Sequence, residues 1–181
     1  TIPTLTTERL LLKPLVAEDA VQIQELYPRW EIVRYMVSSV PWPYPENGAE
    51  SYVNNVALPD MEKGIAWFWS IRCREAPDRL MGIICLYDVE DNNRGFWLAP
   101  EFQGKGFMRE ASIAATDYWF NTLNKPVIRA PKAAANSRSR RISDSSGMRL
   151  IRTEKKAYVS GMLGSELWEI TRDEWNARQV S

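Results

Sequence analysis

The chain has 181 residues, 45% of them apolar, and its 23 basic residues are balanced by 23 acidic ones. That length supports one core-forming domain and is short for two, so a single domain over 1–181 is expected, and the zero net charge gives no overall pull towards nucleic acid or an anionic membrane. Histidine is absent, which excludes Ser-His-Asp and Cys-His nucleophile systems and the commonest transition-metal ligand, so no metal is expected.

Cys73 and Cys85 lack the spacing of a metal site or a CxxC pair and read as small hydrophobes of a reduced protein. No apolar run reaches the roughly 18 residues of a membrane span, and the N-terminus carries no apolar signal block. The expectation is a soluble, cytoplasmic protein.

In chain order, 9–15 alternates weakly and ends near Pro14, which predicts a strand, and 17–27 then sets Ala20, Ile23 and Tyr27 on one helical face. The segment 37–46 contains Pro41-Trp42-Pro43-Tyr44-Pro45, which cannot be helix interior and holds its rings on a stiff loop. Trp42 and Tyr44 either seal the core or form an aromatic wall for an acceptor substrate. A helix is predicted over 47–58, stopped by Pro59, and strands over 66–72, 79–89 and 94–98. Apolar or small residues at 107, 108, 111, 114, 115, 118 and 119 define the buried stripe of the next helix. A strand at 127–130, a helix at 137–146 closed by Gly147, and strands at 148–156 and 167–171 complete the pattern. Trp67 and Trp69, two apart, share one strand face and read as core, as do Trp97 and Trp119 for the most part.

Between the strand ending at Leu98 and the long helix stands Gln103-Gly104-Lys105-Gly106-Phe107-Met108. Amides at a helix start have no internal partner and face the positive end of the helix dipole, so such a loop can hold a pyrophosphate without a cationic side chain. It is neither a dinucleotide fingerprint, since Arg109 stands where a third glycine belongs, nor a P-loop. A GxG alone is a weak signal, with a plain tight turn as its bland alternative.

The wider pattern is more specific. It runs from Gly95-Phe96-Trp97-Leu98-Ala99-Pro100 through Gln103-Gly104-Lys105-Gly106-Phe107-Met108, then to Asn136-Ser137-Arg138-Ser139 and Ser146-Gly147-Met148. This resembles the GNAT superfamily of acyl-CoA-dependent N-acetyltransferases, and the opening Thr7-Glu8-Arg9-Leu10-Leu11-Leu12 resembles the branch that includes the ribosomal-protein N-terminal alanine acetyltransferases. Nearly the whole chain is covered. The chain departs from the family pattern at Met108, where Gly or Ala is usual, and at Ala157, where the ribosomal-protein enzymes tend to carry a glutamate used as general base.

The resemblance implies an α/β (α+β) fold: a mixed, mainly antiparallel twisted sheet of six to seven strands, helices on both faces, and a splayed central strand pair. It implies acetyl-CoA as co-substrate, with the pantetheine arm bound along Trp97, Leu98 and Ala99 and the pyrophosphate on the loop of Gln103, Gly104, Lys105, Gly106, Phe107 and Met108. An N-H near Leu98 would face the thioester oxygen, Asn136 would bond the pantetheine arm or a nearby carbonyl, and Ser139 would protonate the departing thiolate, with Tyr158 as a second proton donor. Each has a bland alternative: helix capping for Asn136 and Ser139, a solvated loop cation for Lys105. Arg138, Arg140 and Arg141 read either as contacts to a 3'-phosphate or as a solvated helix face.

The expected partners are acetyl-CoA and an amine acceptor, without nucleic acid or membrane, for a monomer or homodimer. The attacking amine must be neutral, which at pH 7 costs about 4.6 kcal/mol for a lysine and about 1 kcal/mol for an α-amine. Without an obvious base the cheaper amine is favoured, with water and Asp88 or Glu90 as possible proton acceptors. A non-catalytic acyl-CoA sensor or interaction module is the alternative reading.

Overall fold

A computed structural model describes residues 1–178; the last three residues of the 1–181 reading lie outside the described residues. Among the described residues, eight strands form two antiparallel sheets. The first sheet orders β1 (Leu5–Thr6), β2 (Leu10–Pro14), β3 (Ala66–Cys73), β4 (Gly82–Tyr87) and β5 (Arg94–Leu98) side by side. The second places β6 (Val127–Ala133) and β7 (Arg149–Tyr158) on either side of β8 (Gly161–Thr171). The expected six to seven strands become eight because β1 pairs through two residues only, Leu5 with Leu12 and Thr6 with Leu11.

Helices cover both faces, as expected. α1 (Ala20–Leu26), α2 (Trp30–Val33), α3 (Gly48–Tyr52) and α4 (Leu58–Glu62) precede β3, while α5 (Phe107–Asp117), α6 (Ser137–Ser145) and α7 (Arg172–Ala177) follow the first sheet. β3 is buried on both faces, so its sequence shows no polar alternation. Trp67, Trp69 and Ile71 point into the core beneath α5, whereas Ala66 and Phe68 point into the core beneath α1 and α3. Trp69 and Trp119 are fully buried, and their indole N-H groups donate to the carbonyls of Pro3 and Val127 at 2.9 Å each.

Four sequence expectations are corrected. Pro59 does not stop the helix: a π-helical turn over Val53–Ala57 lets Leu58 N-H donate to Val53 O, and Pro59 then falls in the first turn of α4, where no amide is required of it. The strand expected at 79–89 is the shorter β4, and that expected at 127–130 continues to Ala133. The last strand begins at Gly161, six residues before the expected start, because it pairs in register with β7 from Tyr158↔Gly161 onward. Gly147 closes α6 as expected: its φ is +83°, and Met148 N-H reaches back to Ser143 O at 3.1 Å.

Candidate active site

The two sheets meet at one end only. Asn93 N-H donates to Arg129 O at 2.8 Å, and Arg129 N-H donates to Asn93 Oδ1 at 2.8 Å. Beyond that point β5 and β6 share no ladder among the described residues, so their facing edges are unpaired towards the ends at Leu98 and Ala133. Five residues of strand at about 3.3 Å each put Leu98 roughly 17 Å from this closed end.

The register decides which groups line the opening. Ala99 N-H donates to Met81 O at 2.9 Å, so by alternation Gly95, Trp97 and Ala99 turn their amides to β4, and Phe96 and Leu98 turn theirs to the open edge. Leu98 O, on the same edge, accepts Gln103 Nε2 at 2.8 Å. The Gln103 side chain thus ties the glycine loop to the strand end. On β6, Ala134 N-H donates to Gly164 O at 2.9 Å, which leaves Arg129, Pro131 and Ala133 facing the gap. Pro131 has no N-H to offer a neighbouring strand, and it is tolerated here because β6 has none on that side.

At the open end the chain turns into α5 through Gly104 and Gly106, at φ +81° and +80°, the left-handed region that suits glycine. Among the described residues, the amides of Gly104, Lys105, Gly106, Phe107 and Met108 have no internal acceptor. Five donors without an internal partner therefore cluster at the positive end of an 11-residue helix. Lys105 is exposed, and its carbonyl accepts Arg9 Nη1 at 2.9 Å.

Glu110 braces this loop. Its carboxylate accepts Thr7 Oγ1 at 2.5 Å, Arg9 N-H at 2.9 Å and Arg9 Nε at 2.8 Å, so Thr7 and Arg9 tie the start of β2 to α5. Burial raises the Glu110 pKa, but these hydrogen bonds outweigh it and the net shift is downward. A lowered folded-state pKa gives stability that is complete above the unfolded value of about 4.3 and is lost as pH falls through the folded value. Glu110→Gln is therefore expected to lower Tm by about 2–4 °C at pH 7, and by much less at pH 3. Equal losses at both pH values in thermal scans would rule this out.

Asn136 is the N-cap of α6, its Oδ1 accepting Ser139 N-H at 3.4 Å, and Asn136 N-H donates to Ala133 O at 3.0 Å. The first turn of α6 is thereby set at the open end of β6. Ser139 is buried, and its Oγ accepts a hydrogen bond from Lys132 Nζ at 3.1 Å. Asn136, Ser139 and Lys132 come together; Tyr158 does not join them. Its hydroxyl donates at 2.7 Å to Ser165, which pairs with Ala133, while Lys132 pairs with Glu166. Neighbouring strand residues alternate in facing, so Tyr158 and Ser139 stand on opposite faces of the second sheet. Burial raises the Tyr158 pKa, partly offset by the Ser165 hydrogen bond.

On the Tyr158 face, the segment after α2 crosses to the hairpin between β7 and β8: Ser38 N-H donates to Ala157 O and Val159 N-H to Met36 O. The proline loop that follows separates its two rings. Tyr44 lies over Gly48, where a Cβ would come within 2.6 Å of the ring, and sits 5.3 Å from Tyr27, which is 5.1 Å from Trp97. Trp42 instead leans on Trp30 at 5.5 Å, and both are exposed. Trp97 points to this aromatic side, so it meets Tyr27 rather than α5. The rings of Tyr27, Tyr44 and Trp97 form a continuous wall beside β5.

Asp88 and Glu90 lie in the turn between β4 and β5, at the closed end, and Asp88 is paired with Lys125 at 3.3 Å. That position is a strand length away from Leu98, which removes them as direct proton acceptors at the opening. Arg140 pairs with Glu166 at 2.8 Å, while Arg138 and Arg141 are exposed. Cys85 is buried, and burial pushes its thiol up to about 12, so it stays protonated at neutral pH. Sequence reasoning missed Lys132 and Pro131. Both carried a signal: a proline and a lysine inside an apolar strand require an unpaired edge and a polar partner respectively.

Comparison with known proteins identifies the family and the fold. The family model described as "Acetyltransferase (GNAT) domain" matches residues 9–149. The "Uncharacterized N-acetyltransferase YnaD" of Bacillus subtilis (strain 168) is 27% identical over 180 residues, 95% of this chain and 99% of that one. Among solved structures, the ribosomal-protein-S5-alanine acetyltransferase from Vibrio fischeri superposes with a TM-score of 0.80 at 18% identity, covering 96% of this chain and 98% of that one. The spermidine N-acetyltransferase from Vibrio cholerae, in complex with CoA and spermine, gives a TM-score of 0.78 at 20% identity over 94% of this chain and 99% of that one.

Proposed function

This chain belongs to the GNAT acetyltransferase family, and on that premise we propose that it moves an acetyl group directly from acetyl-CoA to a primary amine, either a protein N-terminal α-amine or a small amine metabolite. The observation that carries this reading is the half-open seam. Outward-facing amides of Phe96 and Leu98 lead into five unpaired amides at 104–108.

A pantetheine arm fits the edge of β5 as an added strand would, with its amides meeting groups that β6 leaves free. Leu98 N-H then donates to the thioester oxygen, and its hydrogen bond strengthens as negative charge gathers there during attack. The loop amides of Gly104, Lys105, Gly106, Phe107 and Met108 take the pyrophosphate. The aromatic side of β5, with Trp97, Tyr27 and Tyr44, receives the acceptor. Trp42, turned away onto Trp30, forms the outer rim.

The amine attacks the thioester carbon, the C-S bond breaks, and Ser139 supplies a proton to the thiolate and regains one in turn, while the surplus nitrogen proton leaves to water. Asn136 fixes the helix start that carries Ser139. Because Cys85 remains a neutral thiol, a route through an acetylated Cys85 is disfavoured. With Ala157 in place of a carboxylate, an α-amine that is about a tenth neutral or more at pH 7 suits the site better than a lysine side chain.

The test is thiol release from acetyl-CoA across a panel of peptides with free N-termini, polyamines and amino-acid amides. Turnover with at least one class is expected, with peptide N-termini preferred over lysine side chains. Tight acetyl-CoA binding with no turnover on any amine would instead favour an acyl-CoA sensor.

A further inference from the structure

Lys132 is a buried cation whose contacts are all within the protein. It is 6% exposed, it lies on the face of β6 covered by α6, and its Nζ donates to Ser139 Oγ at 3.1 Å, to Ser139 O at 3.3 Å, and to Ser143 Oγ. An ammonium has three hydrogens and no lone pair, so these contacts use all of its donors and fix what Ser139 can do. The Ser139 oxygen accepts from Lys132, and its single hydrogen cannot be given back to that partner. Among the described residues no acceptor takes the Ser139 hydroxyl hydrogen.

The surroundings supply little compensating negative charge. Glu166, opposite Lys132 in the register, is shared with Arg140 Nε at 2.8 Å and Trp168 Nε1 at 3.1 Å. Arg94, buried on the same side, bonds Thr116 Oγ1 and Met148 Sδ, and its Nε has no partner. A plain helix-anchoring role needs no charge at this place: a methionine or leucine would pack under two serines without the cost of burying an ammonium.

We propose that Lys132 is the positioning residue for Ser139: it holds the serine oxygen so that the hydroxyl proton faces the departing CoA sulfur, and it stabilises the oxygen when that proton leaves. The inference rests on the acetyltransferase reading above. The proton account closes as follows. The C-S bond breaks to give a thiolate, the Ser139 O-H bond breaks as S-H forms, and a Lys132 N-H proton moves to the serine oxygen. The neutral amine of Lys132 regains a proton from water, while the acceptor nitrogen, now bonded to the acetyl carbon, has lost one to water. Burial, with the nearby Arg94 charge adding to it and Glu166 partly opposing it, holds the Lys132 pKa well below the usual lysine value, which favours this donation.

A double-mutant cycle tests it: kcat with a turned-over amine and acetyl-CoA affinity by calorimetry, for Lys132→Met, Ser139→Ala, and both together. Lys132→Met is expected to lower kcat about 10- to 100-fold with acetyl-CoA affinity within about twofold, and to change kcat less than about twofold once Ser139 is alanine. Lys132→Gln keeps an N-H donor and removes the charge. It serves where the methionine variant does not fold: its kcat should fall about threefold or more below that of the unsubstituted protein, and by less than about twofold once Ser139 is alanine. Equal losses with and without Ser139 would overturn the proposal and leave Lys132 a packing residue; so would wild-type kcat in Ser139→Ala. Absence of acetyl-CoA binding by the unsubstituted protein would overturn the acetyltransferase reading, and this inference with it.

Discussion

Ser139→Ala lowers kcat for acetyl transfer by about 10²-fold, the lower end of what a positioned proton donor contributes, and leaves acetyl-CoA affinity within about twofold. The split follows from where the side chain sits. Ser139 is buried under Lys132, one turn into α6, so its hydroxyl is needed only when the thiolate forms, whereas the proposed binding contacts are backbone groups of β5 and the glycine loop. The substitution removes one oxygen and keeps the helix cap, because Asn136 Oδ1 bonds the residue 139 amide and not its side chain. Steady-state kinetics with calorimetry separates the two effects. A tenfold loss of affinity with kcat unchanged would mean that Ser139 binds the coenzyme and does not donate its proton.

Gly106→Val produces the opposite split. Its φ of +80° lies in the left-handed region, where a side chain costs about 1–2 kcal/mol, and a Cβ there would come within 3.3 Å of Arg9 Nη2. Arg9 also holds the Lys105 carbonyl and Glu110, so relief of the strain turns the 105–106 peptide away from its present direction. Acetyl-CoA binding is expected to weaken about tenfold or more, the equivalent of 1.4 kcal/mol, with kcat at saturating acetyl-CoA changed less than about threefold. Gly104→Ala is milder, since its Cβ would have nothing within 4 Å. Unchanged affinity in Gly106→Val would show that the direction of these amides does not matter.

Much of this arrangement was legible in the chain itself. Gly104 and Gly106 between a strand and a periodic helix announced a tight loop at a helix start, which the structure builds with both glycines left-handed, and Asn136 with Ser139 announced the start of α6. Thr171 and Glu174 form a reciprocal cap that starts α7, with Thr171 Oγ1 accepting Glu174 N-H and Glu174 Oε1 accepting Thr171 N-H at 3.1 Å each. That T-x-x-E signature was present but unread. Other features were not local. Pro59 looked like a helix stop because a proline normally conflicts with the carbonyl four residues back, and only a widened turn relieves it. The opposite facing of Tyr158 and Ser139 depends on pairing across three strands, and no spacing within either segment encodes it. Trp42 and Tyr44 are two residues apart in one loop, yet Tyr44 settles over Gly48 while Trp42 leans on Trp30, contacts that no spacing within the loop encodes.

Amide hydrogen exchange followed residue by residue with and without CoA asks the question at the atoms concerned. Slowed exchange at Phe96, Leu98 and the amides of 104–108 is predicted on CoA addition, with the β3 interior unchanged. Saturating CoA that leaves those amides exchanging as fast as before, while it protects a different surface, would contradict the half-open seam as the coenzyme site.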